Sequence, residues 1–181
     1  MANTLPTEKW GLKESADWWS AGQAARQQIY GAATEMMLDL AGVHAGSRVL
    51  DIAAGSGEST LMAARRVGPT GYALAADVSA SMLNVAAEAA RKEGITNMET
   101  RVMNAENLLL DADSFDAVIS RIALMLFPSP AKALTEMGRD RDRACTLGRE
   151  AAAIYRAGFK RQRQLAETER WLTRQKCGPN A

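Results

Sequence analysis

The strongest constraint on the fold lies between Arg48 and Gly71. A short apolar run, Arg48-Val-Leu-Asp-Ile-Ala53, stops at Ala54-Gly-Ser-Gly57 and gives way to a helix-like segment, Glu58 to Val67, closed by Gly68-Pro-Thr-Gly71. This order is strand, glycine loop, helix, turn. It then repeats. Tyr72 to Ala76 reads as a second strand ending at Asp77, and Ser79 to Glu93 as a helix stopped by Gly94. Met98 to Met103 alternates as a third strand, Phe115 to Ser120 reads as a fourth, and a helix begins at Pro130. Strands and helices that alternate through short turns imply parallel strands joined by right-handed crossovers, hence a doubly wound α/β sheet.

Around this core, residues 1–42 form an N-terminal helical segment, with apolar groups at helical spacings from Trp18 to Leu40 and a stop at Gly42. Residues 43–139 form the core, and residues 140–181 a basic, helix-prone tail. From Arg139 to Lys176 there are 11 Lys/Arg against 5 Asp/Glu, although the whole chain carries a net charge of only +1. So small a net charge argues against a dedicated nucleic-acid binder. No apolar run is long enough for a membrane span. Cys145 and Cys177 stand in no metal or disulfide spacing. A cytoplasmic protein without a metal site is the simplest expectation.

In a doubly wound sheet, ligands bind beyond the carboxyl ends of the strands where the strand order reverses, which here means the first strand and its glycine loop. Gly55 and Gly57 can take positive φ and let backbone N–H groups approach a bound molecule. Asp51 lies just ahead, where a carboxylate can order the loop and attract a cation. Asp77, ending the second strand, can accept hydrogen bonds from both hydroxyls of a ribose. A dinucleotide fingerprint needs a glycine at position 60, which is Thr60, and Glu58 at the helix start competes with a pyrophosphate for the positive end of the helix. An NAD(P)-dependent oxidoreductase is therefore disfavoured. A cofactor without phosphate, carrying a sulfonium and an ammonium, suits Asp51 and Glu58.

Val49-Leu-Asp-Ile-Ala-Ala-Gly-Ser-Gly-Glu58 resembles motif I of class I S-adenosylmethionine-dependent methyltransferases, and Ala73 to Leu83 resembles the segment that follows it. Asn97 to Leu108 and Phe115 to Arg139 resemble the third- and fourth-strand segments of the UbiE-like (methyltransferase type 11) group. The resemblance implies a Rossmann-like fold and S-adenosyl-L-methionine as cofactor. It also implies methyl transfer to a small-molecule acceptor, without nucleic acid or membrane as partner. It places Asp77 on the ribose, and the backbone of Ala53, Gly55, Ser56 and Gly57 near the methionine and ribose parts. Asn104, where the family usually has Asp, lies with Ala105 and Glu106 along the adenine. Val78 and Met82, in the segment after Asp77, join the cofactor set, although Met82 also suits the core. Arg121, at the carboxyl end of the fourth strand, either contacts an anionic acceptor or is a solvated or salt-bridged arginine, and it is counted with the cofactor set. His44 precedes the first strand, at the wrong end of the sheet for a base, and no catalytic residue is assigned. Trp10, Trp18, Trp19 and Tyr30 form either a lid or plain core.

The resemblance breaks after Arg139. The family continues with a Pro-Gly-Gly turn and further strands, whereas Asp140 to Cys145 has neither. An incomplete sheet leaves the fourth strand as an edge, to be covered by the tail, through Ala151, Ile154, Tyr155 and Phe159, or by a second copy in a homodimer. The alternative function is a truncated, inactive relative that acts as a binding or subunit-pairing module.

Overall fold

A computed structural model describes residues 21–111 and 114–138. The expectations for Trp10, Trp18, Trp19 and the tail lie outside the described residues. Within them, helix α1 (Gln23–Leu40) leads into strand β1 (Arg48–Ile52) and helix α2 (Glu58–Val67). Strand β2 (Tyr72–Asp77), helix α3 (Ala80–Lys92) and strand β3 (Met98–Val102) follow. Strand β4 (Ala117–Ile119), a 3-10 turn (Leu124–Leu126) and helix α4 (Pro130–Met137) complete the order. The four strands are all parallel in the order β3-β2-β1-β4, so the chain reverses direction across the sheet at β1. This is the doubly wound, Rossmann-like architecture that the alternation predicts.

Alternation along each strand distributes the core over two faces. Val49, Ala117 and Ile119 pack with Leu38 of α1 and Met62 and Val67 of α2. Leu50, Ile52, Leu74 and Val118 point the other way, against Ala133, Leu134 and Met137 of α4. β4 is shorter than the predicted Phe115 to Ser120 run, because only Ala117–Ile119 pairs with β1. Its three side chains are nonetheless buried between α1 and α2 on one face and α4 on the other. Among the described residues, no strand pairs with its outer edge.

The connections obey equally local rules. Ser79 caps α3, its hydroxyl accepting from the Met82 N–H, the role in which serine is favoured at a helix start. The side-chain amide of Asn97 donates to the carbonyls of Ala64 and Gly68 and so closes the last turn of α2. Gly71 has no room for a side chain: a Cβ there would lie 2.4 Å from Val67 Cβ and 2.8 Å from the Ser47 carbonyl oxygen.

Of the two roles expected of Asp51, ordering the loop and attracting a cation, its contacts serve the first. It is fully buried beneath the glycine loop and does not line the cavity described below. Its Oδ2 accepts from Ser59 Oγ at 2.7 Å and Thr60 Oγ1 at 2.6 Å, which ties β1 to the first turn of α2. Thr60, which breaks the dinucleotide pattern, thus has a structural partner. Burial pushes the Asp51 carboxyl up to about 6, against the lowering effect of the two hydroxyls and of Arg121.

A raised carboxyl binds its proton more readily in the folded chain than in the unfolded one. Its contribution to stability is therefore lost as pH rises from about 4 to about 6, by roughly 3 kcal/mol. Asp51→Asn removes that dependence. Chemical denaturation at pH 4 and pH 7 should show the variant gaining on the wild type by a few kcal/mol at the higher pH; an unchanged difference would refute the buried charge. Gly71→Ala should destabilise by about 1–3 kcal/mol through overpacking, measured by the same method.

Candidate cofactor and acceptor site

A cavity of about 450 Å³ opens at the carboxyl ends of the strands, where the sheet reverses. One wall comes from the segments after β2 and β3, with Asp77, Val78, Met82, Asn104, Ala105 and Glu106. The floor is the loop Ala53–Gly55, and the far wall joins α1 to Arg121 and the residues after it. Nine of the twelve residues expected from sequence line this space. Asp51, Ser56 and Gly57 do not.

The loop's shape explains those three. Ala53, Gly55 and Gly57 all have positive φ, at 56°, 56° and 83°. Gly57 precedes α2 and packs so closely on α3 that a Cβ would lie 2.6 Å from Ala86 Cβ. Its glycine serves helix packing. Ala53 accepts the left-handed conformation with a Cβ present, a cost on the order of 1–2 kcal/mol. The Gly55 N–H is drawn to Asp77 Oδ2 at 2.9 Å, while Asp77 Oδ1 accepts from the Ser79 N–H at 2.9 Å. Burial raises the Asp77 carboxyl above its ordinary value, and these N–H groups, with that of Val78, counter it. Each oxygen keeps a further lone pair for a ligand hydroxyl.

On the wall expected from the resemblance to lie along an adenine, Asn104 Oδ1 accepts from the Glu106 N–H at 2.9 Å and so braces its own loop. Glu106 Oε1 accepts from the Ser129 N–H at 2.7 Å, binding this loop to the start of α4.

The main electrostatic feature of the site has no counterpart in the sequence reading. Glu58, expected to oppose a phosphate and to suit a cationic cofactor, is 3% exposed and held between two arginines. Arg26 of α1 bonds Oε1 through Nη2 at 2.5 Å and Nε at 3.1 Å, and also reaches Ser56 Oγ at 3.2 Å. Arg121 bonds Oε2 at 2.6 Å and Thr34 Oγ1 at 3.0 Å. Ser56, itself buried, donates to Glu58 Oε1 at 3.1 Å. Of the two roles weighed for Arg121, the structure gives it the carboxylate pair. The guanidinium also lies 5.8 Å from the centre of the Tyr30 ring, and Tyr30 lines the cavity. The only signal in the sequence was a carboxylate followed by no local partner; the arginines lie 32 residues before it and 63 after.

Ile122 follows Arg121 with φ of 58°, 49% exposed on the cavity wall. A β-branched residue in this region is a true conformational outlier. Among the described residues no group of three or more His, Cys, Asp and Glu is placed to hold a metal ion, and no helix is long and apolar enough to cross a membrane.

Comparison with known proteins places this geometry in a family. A family model described as a methyltransferase domain matches residues 43–165. The ubiquinone/menaquinone biosynthesis C-methyltransferase UbiE of Hahella chejuensis is 41% identical over 103 residues, covering 56% of this chain and 41% of the relative. The same-named protein of Hydrogenovibrio crunogenus is 37% identical over 103 residues, again covering 56% and 41%. The chain thus spans about two fifths of the length of these curated relatives. The crystal structure of a SAM-dependent methyltransferase from Aquifex aeolicus superposes with a TM-score of 0.55 at 28% identity, covering 59% of this chain and 57% of the other. The model match extends over more than half of the chain and includes the glycine loop, Asp77 and the cavity walls: the chain belongs to the methyltransferase-domain family.

Proposed function

We propose that the chain binds S-adenosyl-L-methionine in this cavity and transfers its methyl group to a small-molecule acceptor. The observation that carries the proposal is Asp77, a half-buried carboxylate at the end of β2 with an N–H group on each oxygen and lone pairs left for two ribose hydroxyls. Family membership and the relatives' names support it.

The residues fit this cofactor better than a dinucleotide. A pyrophosphate at the start of α2 would meet Glu58, and both guanidiniums beside it are already bonded to that carboxylate. A nicotinamide-dependent reaction is disfavoured on the same ground. When bound, S-adenosylmethionine supplies a methyl already activated by its sulfonium for in-line displacement. What remains for the protein is alignment of the acceptor and exclusion of water. Asp77 fixes the ribose end, the Ala53–Gly55 backbone forms the floor, and Val78 and Met82 cover the adenosyl side. α1, tied down through Arg26, closes the cavity from above. A cytoplasmic location accords with the sequence, whose two cysteines stand in no disulfide spacing.

The test is calorimetric titration with S-adenosylmethionine and S-adenosylhomocysteine. Both should bind, and Asp77→Ala should weaken S-adenosylhomocysteine by about tenfold or more, given 1.5–3 kcal/mol for hydrogen bonds to a charged group. Asp77→Asn, which keeps one acceptor oxygen, should lose less. A folded, monodisperse sample that takes up neither ligand refutes the proposal. Binding without turnover across acceptors would instead favour the non-catalytic binding module.

A further inference from the structure

We propose that the cavity wall formed by Ile29, Ile122, Leu126 and Phe127 is the methyl-acceptor subsite, and that it takes uncharged molecules with an apolar face while rejecting carboxylates, phosphates and sulfonates. This rests on the methyltransferase reading and goes beyond it by naming the chemistry of the acceptor.

Position comes first. β4 lies on the opposite side of β1 from β2, so the residues that follow β4 stand across the glycine loop from Asp77. A cofactor whose ribose is held at Asp77 and whose chain crosses the loop presents its far end to this wall. Ile29 of α1 and the Ile122–Phe127 segment line the same cavity, which makes the wall continuous with the proposed cofactor site.

Its chemistry comes next. Ile29 is 67% exposed, Ile122 49% and Leu126 41%. Large apolar side chains left open together beside a cavity mark a place where apolar surface is buried on binding. An anionic acceptor would need a cation, and the two that line the cavity among the described residues, Arg26 and Arg121, both bond Glu58. Drawing either toward an anion would strip one side of a carboxylate that is almost fully buried, which is unfavourable.

Ile122 is the residue through which this wall sets specificity. Ser120 Oγ is bonded to the Ile52 carbonyl at 3.0 Å, and the Arg121 guanidinium to Glu58 and Thr34. With the chain held on its N-terminal side and turning at Ala123–Leu126, Ile122 is kept in the left-handed region with its side chain on the cavity wall.

This backbone allows a test in which folding is not at risk. Asparagine adopts the left-handed conformation more readily than isoleucine, so Ile122→Asn should match or exceed the wild type in thermal stability while making the wall polar. With the cofactor site saturated by S-adenosylhomocysteine, fluorescence titration should show the wild type binding neutral N-phenyl-1-naphthylamine and discriminating against anionic 1-anilinonaphthalene-8-sulfonate. Ile122→Asn should bind the neutral probe about tenfold more weakly, with its calorimetric affinity for S-adenosylhomocysteine unchanged. Equal binding of the two probes, or full retention of the neutral probe by the variant, overturns the acceptor proposal alone. Absence of S-adenosylhomocysteine binding in the wild type overturns the methyltransferase reading, and the acceptor role with it.

Discussion

One carboxylate holds together the three segments that make the site. Glu58 opens α2 immediately after the glycine loop, Arg26 belongs to α1, and Arg121 follows β4. Remove the carboxylate, and two guanidiniums with 14% and 13% exposure lose an anionic partner at the cavity. A broken buried pair of this kind costs on the order of 3–5 kcal/mol. The pairing does more than stabilise. Because α1 contributes Ile29 and Tyr30 to the cavity, the Arg26 bond joins that wall to the glycine loop, and the Arg121 bond joins the chain leaving β4 to the same carboxylate.

Most of the architecture was legible because it rests on local signals. Parallel strands buried on both faces read as apolar runs, glycines mark the loops, and Ser79 announces its helix. Asp77 was legible for a similar reason: its role follows from its place at a strand end after a glycine loop. Asp51 was misjudged in emphasis. Its position was right, yet Ser59 and Thr60 turn it inward as a structural acceptor, and a one-dimensional pattern does not distinguish a carboxylate under a loop from one facing the ligand.

What the sequence concealed were partners distant along the chain. Nothing near Glu58 names Arg26 or Arg121, and nothing near Arg121 indicates that its guanidinium will turn toward Thr34 and Glu58 and not toward solvent. Glu106 is comparable: its carboxylate ties to the Ser129 N–H, a contact that exists only because α4 packs beside the β3 loop. Backbone strain was hidden too. Ile122 has a residue type that favours strands, and only the tertiary bonds on Ser120 and Arg121 explain why it turns left-handed.

The distribution of that strain is informative. Among the described residues, the two non-glycine positions with positive φ are Ala53 and Ile122. One follows β1 and the other comes shortly after β4, the pair of neighbouring strands between which the sheet reverses. Both line the cavity. Each such conformation costs about 1–3 kcal/mol and persists only where its surroundings over-determine it. Here the surroundings are identifiable: the Ala54 N–H on the Ala76 carbonyl at 3.1 Å and the Gly55 N–H on Asp77 hold the first turn, while the Ser120 and Arg121 bonds hold the second. Strain placed on both sides of one crevice, and restrained by groups that also form its floor and walls, is what a preformed site requires. A relaxed backbone at either position would let the floor or the Ile122 wall of the cavity drift by distances that matter for the in-line transfer proposed for it.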